Sequence, residues 1–361
     1  METADQLSLN KLLAAIAEYK ASDLHLVAGN FPILRISGRL APLNTEPPIT
    51  ANFLTKIVDA WLSAEQKKEL QNNKSLIFSY VAPNKMRFKV SIYYQQGSLA
   101  IAMRALPNQI KNLLELGLPK KIQEIVNLKR GLIIITGPFG SGKTTTLAAI
   151  IEHYNKNSAK HIITLEKPIE YLFTDNQSII EQREVGRDVS DFTTGLKFVF
   201  EEDVDILAVS ALENASVIKQ VFALVDSGRL VFAVMNTEST VQTLENLLNN
   251  FSDIEQQHAQ KQLAQVISAV ICQKLLPTIQ GGQVVATEFF FPNDVARNII
   301  ASGDLNKLNN LMYNAQEEEG MLSFDGALAK LVNEGAINLT VALENAHDQE
   351  HMQALIGKYN K

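Results

Sequence analysis

Cysteine occurs once in the 361 residues, at Cys272. One thiol excludes an intramolecular disulfide and a four-thiolate zinc site, and it points to a reducing, cytosolic setting. No stretch approaches the roughly 20 consecutive apolar residues that span a bilayer, so no direct membrane insertion is expected. The N-terminal METADQLSLN has no basic segment followed by an apolar core, as an export signal would. The six histidines, at 25, 153, 161, 258, 347 and 351, share no spacing with acids or Cys272 that suggests a metal site. Internal repeats and low-complexity segments are also missing.

What is present is ordinary globular composition, 46% hydrophobic and 20% charged. At roughly 100 to 200 residues per domain, the length implies two domains. Their charges differ. Residues 1–110 hold 12 Lys+Arg against 8 Asp+Glu, and residues 111–361 hold 21 against 31, so the balances are +4 and −10. Opposite balances favour contact between the halves, within a chain or between subunits. An acidic second half argues against nucleic acid as a partner.

In the first half, SLNKLLAAIAEYK (8–20) has helical apolar spacing behind a candidate Ser8 cap. DLHLVAG, ILRISGRL, MRFKVSIYY and LAIAMRAL alternate apolar with polar residues, as strands of a half-solvated antiparallel sheet do. ANFLTKIVDAWLSAEQKKELQ between them predicts one amphipathic helix. A connector over 111–129 carries one short helix. Beyond it GLIIITG, HIITLE, DILAVS and LVFAVMN are continuous apolar strands separated by helices, the pattern of a mostly parallel α/β sheet. A helical stretch near 254–275, the strand QVVATEFFF and further helices complete the expectation. Glu317 to Glu319 reads as a solvated loop, and the apolar positions of FALV and LENLLNNF read as core.

GPFGSGKTTT (137–146) meets the template G-x-x-x-x-G-K-[ST] at every position and follows a strand and opens a helix, the context that makes such a match credible. The predicted cradle is Gly137, Pro138, Phe139, Gly140, Ser141, Gly142, Lys143, Thr144 and Thr145. Glycines 140 and 142 let amides turn toward a β-phosphate, Lys143 reaches the β and γ phosphates, and the Thr144 hydroxyl ligates Mg²⁺. The expected cofactors are therefore ATP and Mg²⁺. Neither N-K-x-D, which reads guanine, nor L-S-G-G-Q, which marks transporter ATPases, occurs.

The flanking residues resemble the PilT/PilU-type retraction ATPases of bacterial type IV pili, within the secretion ATPase superfamily. The resemblance runs through SDLHL (22–26), MRFKV (86–90), RGLIIITGPFGSGKTTTLAAII (130–151), HIITLEKPIEY (161–171), EQREVGRD (181–188), VARNII (295–300) and GMLSFDGAL (320–328). Assembly-type relatives usually carry a four-cysteine metal motif, so the retraction branch is the closer match. The resemblance implies an N-terminal PAS-like α+β domain (1–110), the connector, and a RecA-like P-loop ATPase domain with C-terminal helices (130–361). It also implies hexameric rings, a membrane platform protein as partner, and a cytoplasmic location peripheral to the inner membrane. Arginines of a neighbouring N-terminal domain help surround the nucleotide in such rings, and Arg87 and Arg104 are the matching candidates.

Several positions depart from the family pattern. Where the strand DILAV should lead into G-E-x-R-D, the chain has Ser210, Ala211, Leu212, Glu213 and Asn214, so the catalytic carboxylate is a methyl group. E-D-P-I-E reads EKPIE, with Glu166 kept and Lys167 new; the two histidines of the G-H-L-V-F-G-T-L-H-T box are Arg229 and Asn236; two arginine positions of a further conserved segment are Lys197 and Glu201. A RecA-like site needs a carboxylate to orient water and a group that senses the γ-phosphate. The expectation is an ATP-binding subunit with weak or no hydrolysis, regulatory or structural, in a homo- or hetero-hexamer with an active retraction ATPase. An active motor relying on Glu166 is the alternative, and a nucleotide-free scaffold is another.

Overall fold

The computed structural model describes residues 4–36, 38–107, 109–315 and 317–359; Met1 to Thr3, Ser37 of ILRISGRL and Asn108 of the expected first domain lie outside them. The chain divides into two compact units, 1–109 with 168–172, and 110–167 with 173–361.

The first unit contains α1 (Ala4–Glu18), β1 (Asp23–Val27), β2 (Ile33–Ile36), β3 (Arg39–Pro42), α2 (Ala51–Trp61), α3 (Ala64–Asn73), β4 (Ser75–Val81), β5 (Arg87–Gln95) and β6 (Ser98–Leu106). Its strands form an antiparallel sheet in the order β3-β2-β1-β6-β5-β4. Phe88, Val90 and Ile92 of β5 are buried and Lys89, Ser91 and Tyr93 are less so, which is the alternation a one-sided sheet requires. Leu9, Leu12, Leu13 and Ile16 of α1 join that core. The helix starts a turn before Ser8, with Asp5 in its first turn favoured by the helix dipole.

The single helix expected over ANFLTKIVDAWLSAEQKKELQ is two. Ser63 sits in extended backbone and caps α3 by a reciprocal box, its Oγ accepting from Gln66 N at 3.3 Å while Gln66 Oε1 accepts from Ser63 N at 3.1 Å. The S-x-x-Q spelling of that box stood in the sequence. β4, an edge strand, was not anticipated.

The second unit opens with three short turns, Leu114–Leu116, α4 (Lys120–Gln123) and Glu124–Asn127. It continues with β7 (Gly131–Thr136), α5 (Lys143–Asn157), β8 (His161–Glu166), β9 (Ile179–Glu184), α6 (Phe192–Glu201), β10 (Ile206–Val209), α7 (Ala215–Asp226), β11 (Leu230–Val234), α8 (Thr240–Leu248) and α9 (Asp253–Val266). β12 (Ile267–Pro277), β13 (Gln283–Phe290), α10 (Asp294–Ser302), α11 (Asn306–Asn314), β14 (Met321–Leu322), α12 (Phe324–Asn333), α13 (Leu339–Asn345) and α14 (Gln349–Tyr359) complete it. The sheet order is β14-β13-β12-β7-β11-β10-β8-β9, parallel from β12 to β9 and antiparallel at β13 and β14.

β7 is buried along its whole length. Leu132 and Ile134 enter one core and Ile133 and Ile135 another, so both faces of the strand are covered. The expected helix to residue 275 ends at Val266, and 267–277 is a strand pairing with β7 and β13. VISAVIC is apolar except for Ser268 and has no clear periodicity, and such a run suits a buried strand as well as a buried helix. Glu317 to Glu319 form a 3₁₀ turn, and Glu317 bonds Lys330 at 2.9 Å.

Candidate nucleotide site

The loop between β7 and α5 lies at the carboxyl end of the parallel strands, where open α/β sheets bind ligands. Gly140 and Gly142 hold φ of +79° and +87°, the left-handed region that disfavours side chains. A Cβ on Gly137 would collide with the Gln273 carbonyl oxygen and with Ser141 Oγ. The loop is therefore drawn tightly onto β12.

Lys143, only 8% exposed, opens α5, and its Nζ donates to Gly137 O and Pro138 O at 2.8 Å each. The ammonium is thus held at the loop's own carbonyls. Ser141 is 2% exposed and its Oγ has no hydrogen-bond partner among the described residues. A buried hydroxyl without a partner is costly and marks a place built for something more. Left-handed glycines, an inward ammonium and an orphaned hydroxyl at a helix N-terminus together fit a phosphate chain. Thr144 follows, half-buried, as the candidate Mg²⁺ ligand, and Thr145 lies beside it. Phe139 is 89% exposed, with its ring centroid 5.9 Å from Lys143 Nζ.

Glu166 ends β8 and is 8% exposed. Thr164 lies two residues earlier on the same strand face, and Gln182 of β9 pairs with Thr164 in register. Thr164 Oγ1 donates to Glu166 Oε1 at 2.7 Å and Gln182 Nε2 donates to the same oxygen at 3.1 Å. A second buried carboxylate, Glu184, faces Glu166 across the register. Neither Gln182 nor Glu184 was picked out from sequence.

After β10, Ser210 Oγ accepts from Lys167 N at 3.0 Å, and Ala211 packs partly buried against the core. Glu213 is exposed and precedes Asn214, which caps α7 by accepting from Val217 N at 3.1 Å. After β11, Asn236 is exposed and the adjacent Thr237 is buried. Arg229, in contrast, precedes β11 at the opposite end of the sheet. It braces the end of α6, donating to Phe200 O and Glu202 O, and cannot belong to the phosphate site. Lys197 and Glu201 are exposed on α6.

Arg87 and Arg104 belong to the first unit. Arg87 is buried and donates to Glu170 O at 2.6 Å and Ile169 O at 3.0 Å; Arg104 is exposed and its Nε donates to Asp23 Oδ1 at 2.8 Å.

Two buried polar systems went unread in the sequence. Thr136 Oγ1 lies 2.6 Å from Thr237 Oγ1, which lies 2.6 Å from Thr243 Oγ1, tying the end of β7 to the start of α8. Glu288 of β13 accepts from Thr240 N at 2.6 Å and Phe324 N at 3.2 Å, so one carboxyl joins the N-termini of α8 and α12. Burial pushes that carboxyl above its usual range. The available signal was Glu288, a charged letter ahead of three phenylalanines in ATEFFF.

A profile of the Type II/IV secretion system protein family matches residues 3–302. The type IV pilus retraction ATPase PilT of Pseudomonas aeruginosa is 31% identical over 348 residues, 96% of this chain and 100% of that one. The type IV pilus ATPase PilU of the same organism is 30% identical over 351 residues, 97% of this chain and 91% of that protein. A crystal structure of the pilus retraction motor PilT with bound ADP superposes with a TM-score of 0.85 at 34% identity, covering 95% of this chain and 98% of the other. The order of an N-terminal domain followed by a RecA-like ATPase domain is common to both. On the phosphate loop, the parallel sheet and this nearly full-length similarity, the chain belongs to the type II/IV secretion system protein family, among the relatives of the pilus retraction ATPases.

Proposed function

We propose that the chain binds ATP with Mg²⁺ through residues 137–145, hydrolyses it slowly or not at all, and serves as a regulatory or structural subunit beside an active retraction ATPase. The observation that carries this reading is the contrast at one sheet edge. The Lys143 cradle is complete, while the position after β10 that should carry a water-orienting carboxylate is Ala211, with Glu213 turned to the surface. Loss of a positioned general base costs about 10² to 10⁴ in rate. Thr144 supplies the Mg²⁺ ligand in this reading, and Asn236 stands where the γ-phosphate is sensed. The domain limits 1–110, 111–129 and 130–361 belong to the same proposal. So do a hexameric ring, homomeric or mixed, and a platform protein at the inner membrane as partner. Arg104, exposed, is better disposed than Arg87 to reach a neighbour's nucleotide, because Arg87 already binds two carbonyls in its own unit. Attachment to the membrane runs through partners in this reading; among the described residues no helix is long and apolar enough to cross a membrane.

The test is steady-state phosphate release by the chain alone and mixed with a retraction ATPase of the same organism. The expected result is little turnover alone, altered turnover of the partner, and ATP binding that Lys143→Ala abolishes. Rapid Lys143-dependent turnover by the chain alone would sink the proposal. A second reading, an active motor relying on Glu166, is favoured by the two hydrogen bonds that fix its Oε1. It requires measurable turnover that Glu166→Gln removes without weakening ATP binding.

A further inference from the structure

We propose that Gln273 is a positioning residue of the nucleotide site: its side-chain amide holds the Ser141–Gly142 peptide so that the Gly142 N–H faces the phosphates. This rests on the nucleotide reading above and adds a determinant outside the phosphate-loop motif. Cys272 pairs with Thr136 in the parallel register between β12 and β7, so Gln273 stands beside Gly137, the first residue of the loop. It is a polar side chain on a strand otherwise apolar from Ala269 to Cys272, and it is 2% exposed.

Both ends of its amide are committed to the loop and its helix. Nε2 donates to Ser141 O at 2.7 Å, and Oε1 accepts from Thr146 Oγ1 at 2.9 Å. The Ser141 carbonyl can only accept, which fixes which end of the amide meets it. In a planar trans peptide C=O and N–H point in opposite directions. Holding the Ser141 carbonyl back toward β12 therefore turns the Gly142 N–H away from β12. A free Ser141–Gly142 unit could rotate, since Gly142 has the least hindered backbone of any residue. Gly142 also lies close below the amide, where an added Cβ would be 3.2 Å from Nε2. Gln273 thus removes a freedom that the glycine introduces.

The probes are ATP and ADP, titrated calorimetrically into the full chain and into Gln273→Glu, Gln273→Ala and Thr146→Val. Gln273→Glu replaces the donor by an acceptor and brings a negative charge to the carbonyl, so Kd rises by about a hundredfold; Gln273→Ala raises it by about tenfold, and Thr146→Val by less. ATP and ADP weaken by the same factor, because the amide serves phosphates they share. Hydrogen exchange over 137–145 slows on saturation with ATP in the wild type and stays fast in Gln273→Glu. Should Gln273→Glu fail to fold, Gln273→Ala and Thr146→Val carry the test. Unchanged Kd in a folded Gln273 variant, or weaker binding with loop protection retained, overturns the inference alone. Failure of the wild type to bind either nucleotide overturns the nucleotide reading and this inference with it.

Discussion

The carboxyl end of β7 and the carboxyl ends of β8, β10 and β11 are neighbours on one sheet, yet they are built in different ways. The first makes its site from backbone: left-handed glycines, a helix N-terminus and one lysine, held from below by Gln273. The second depends on single side chains at strand ends. Of these Glu166 is buried and fixed by two donors, whereas Ala211 contributes only a methyl and Asn236 and Glu213 are exposed. A backbone cradle depends on few side chains, while a side-chain site is lost one substitution at a time. Binding and turnover are therefore separable in this architecture.

The largest expected effect breaks that contrast from the weak side. Ala211→Glu restores a carboxylate after β10 and raises steady-state phosphate release by about 10² to 10⁴ over the wild type. No gain in a variant that still binds ATP would show that β8 and β11 limit turnover as well.

Next comes the strong side. Gly137→Ala places a Cβ against the Gln273 carbonyl oxygen and Ser141 Oγ at a φ of +144°. It should lower the melting temperature and remove ATP-dependent stabilisation, which for a ligand at 100 times its Kd amounts to about 2.7 kcal/mol. A wild-type melting profile, with and without ATP, would refute the tight seating of the loop.

A smaller effect probes the polar tie behind β11. Burial raises the Glu288 carboxyl above its ordinary 4.5, so the folded chain holds a proton that the unfolded chain has released. Its contribution to stability is full below pH 4.5 and declines as pH rises through the folded value. Thermal melts from pH 4.5 upward should show the wild type losing stability relative to Glu288→Gln, and parallel curves would contradict it.

The smallest is at Cys272, where burial and the nearby Glu288 and Glu238 push the thiol well above its usual range. Alkylation at pH 8 should be slow in the native chain and rapid once it is denatured. Fast native labelling would mean that β12 opens readily beneath the loop.

Much of this was legible in the residues. The template G-x-x-x-x-G-K-[ST] located a strand–loop–helix turn because its demands are local: a strand end, glycines and a lysine within ten residues. Apolar continuity marked β7, β8, β10 and β11 as buried on both faces. VISAVIC at the start of β12 was misread, since an apolar run fits a helix and a strand equally until a partner is known. The break at Ser63 was overlooked although its capping box was spelled out.

Arg229 shows the other limit. The resemblance to the G-H-L-V-F-G-T-L-H-T box groups it with Asn236, yet a five-residue strand between them puts them at opposite ends of the sheet, about 16 Å of strand apart. The linear chain by itself determined that a glycine-rich loop joins a buried strand to a helix opening at Lys143 and that Ala211 follows the strand DILAV, because both are properties of short segments. Only the tertiary structure decided that Gln273 steadies the loop, that Gln182 reaches Glu166 from the next strand, and that Glu288 joins two helices. Each of those contacts spans a register between strands or a distance of up to 132 residues, which no local pattern encodes.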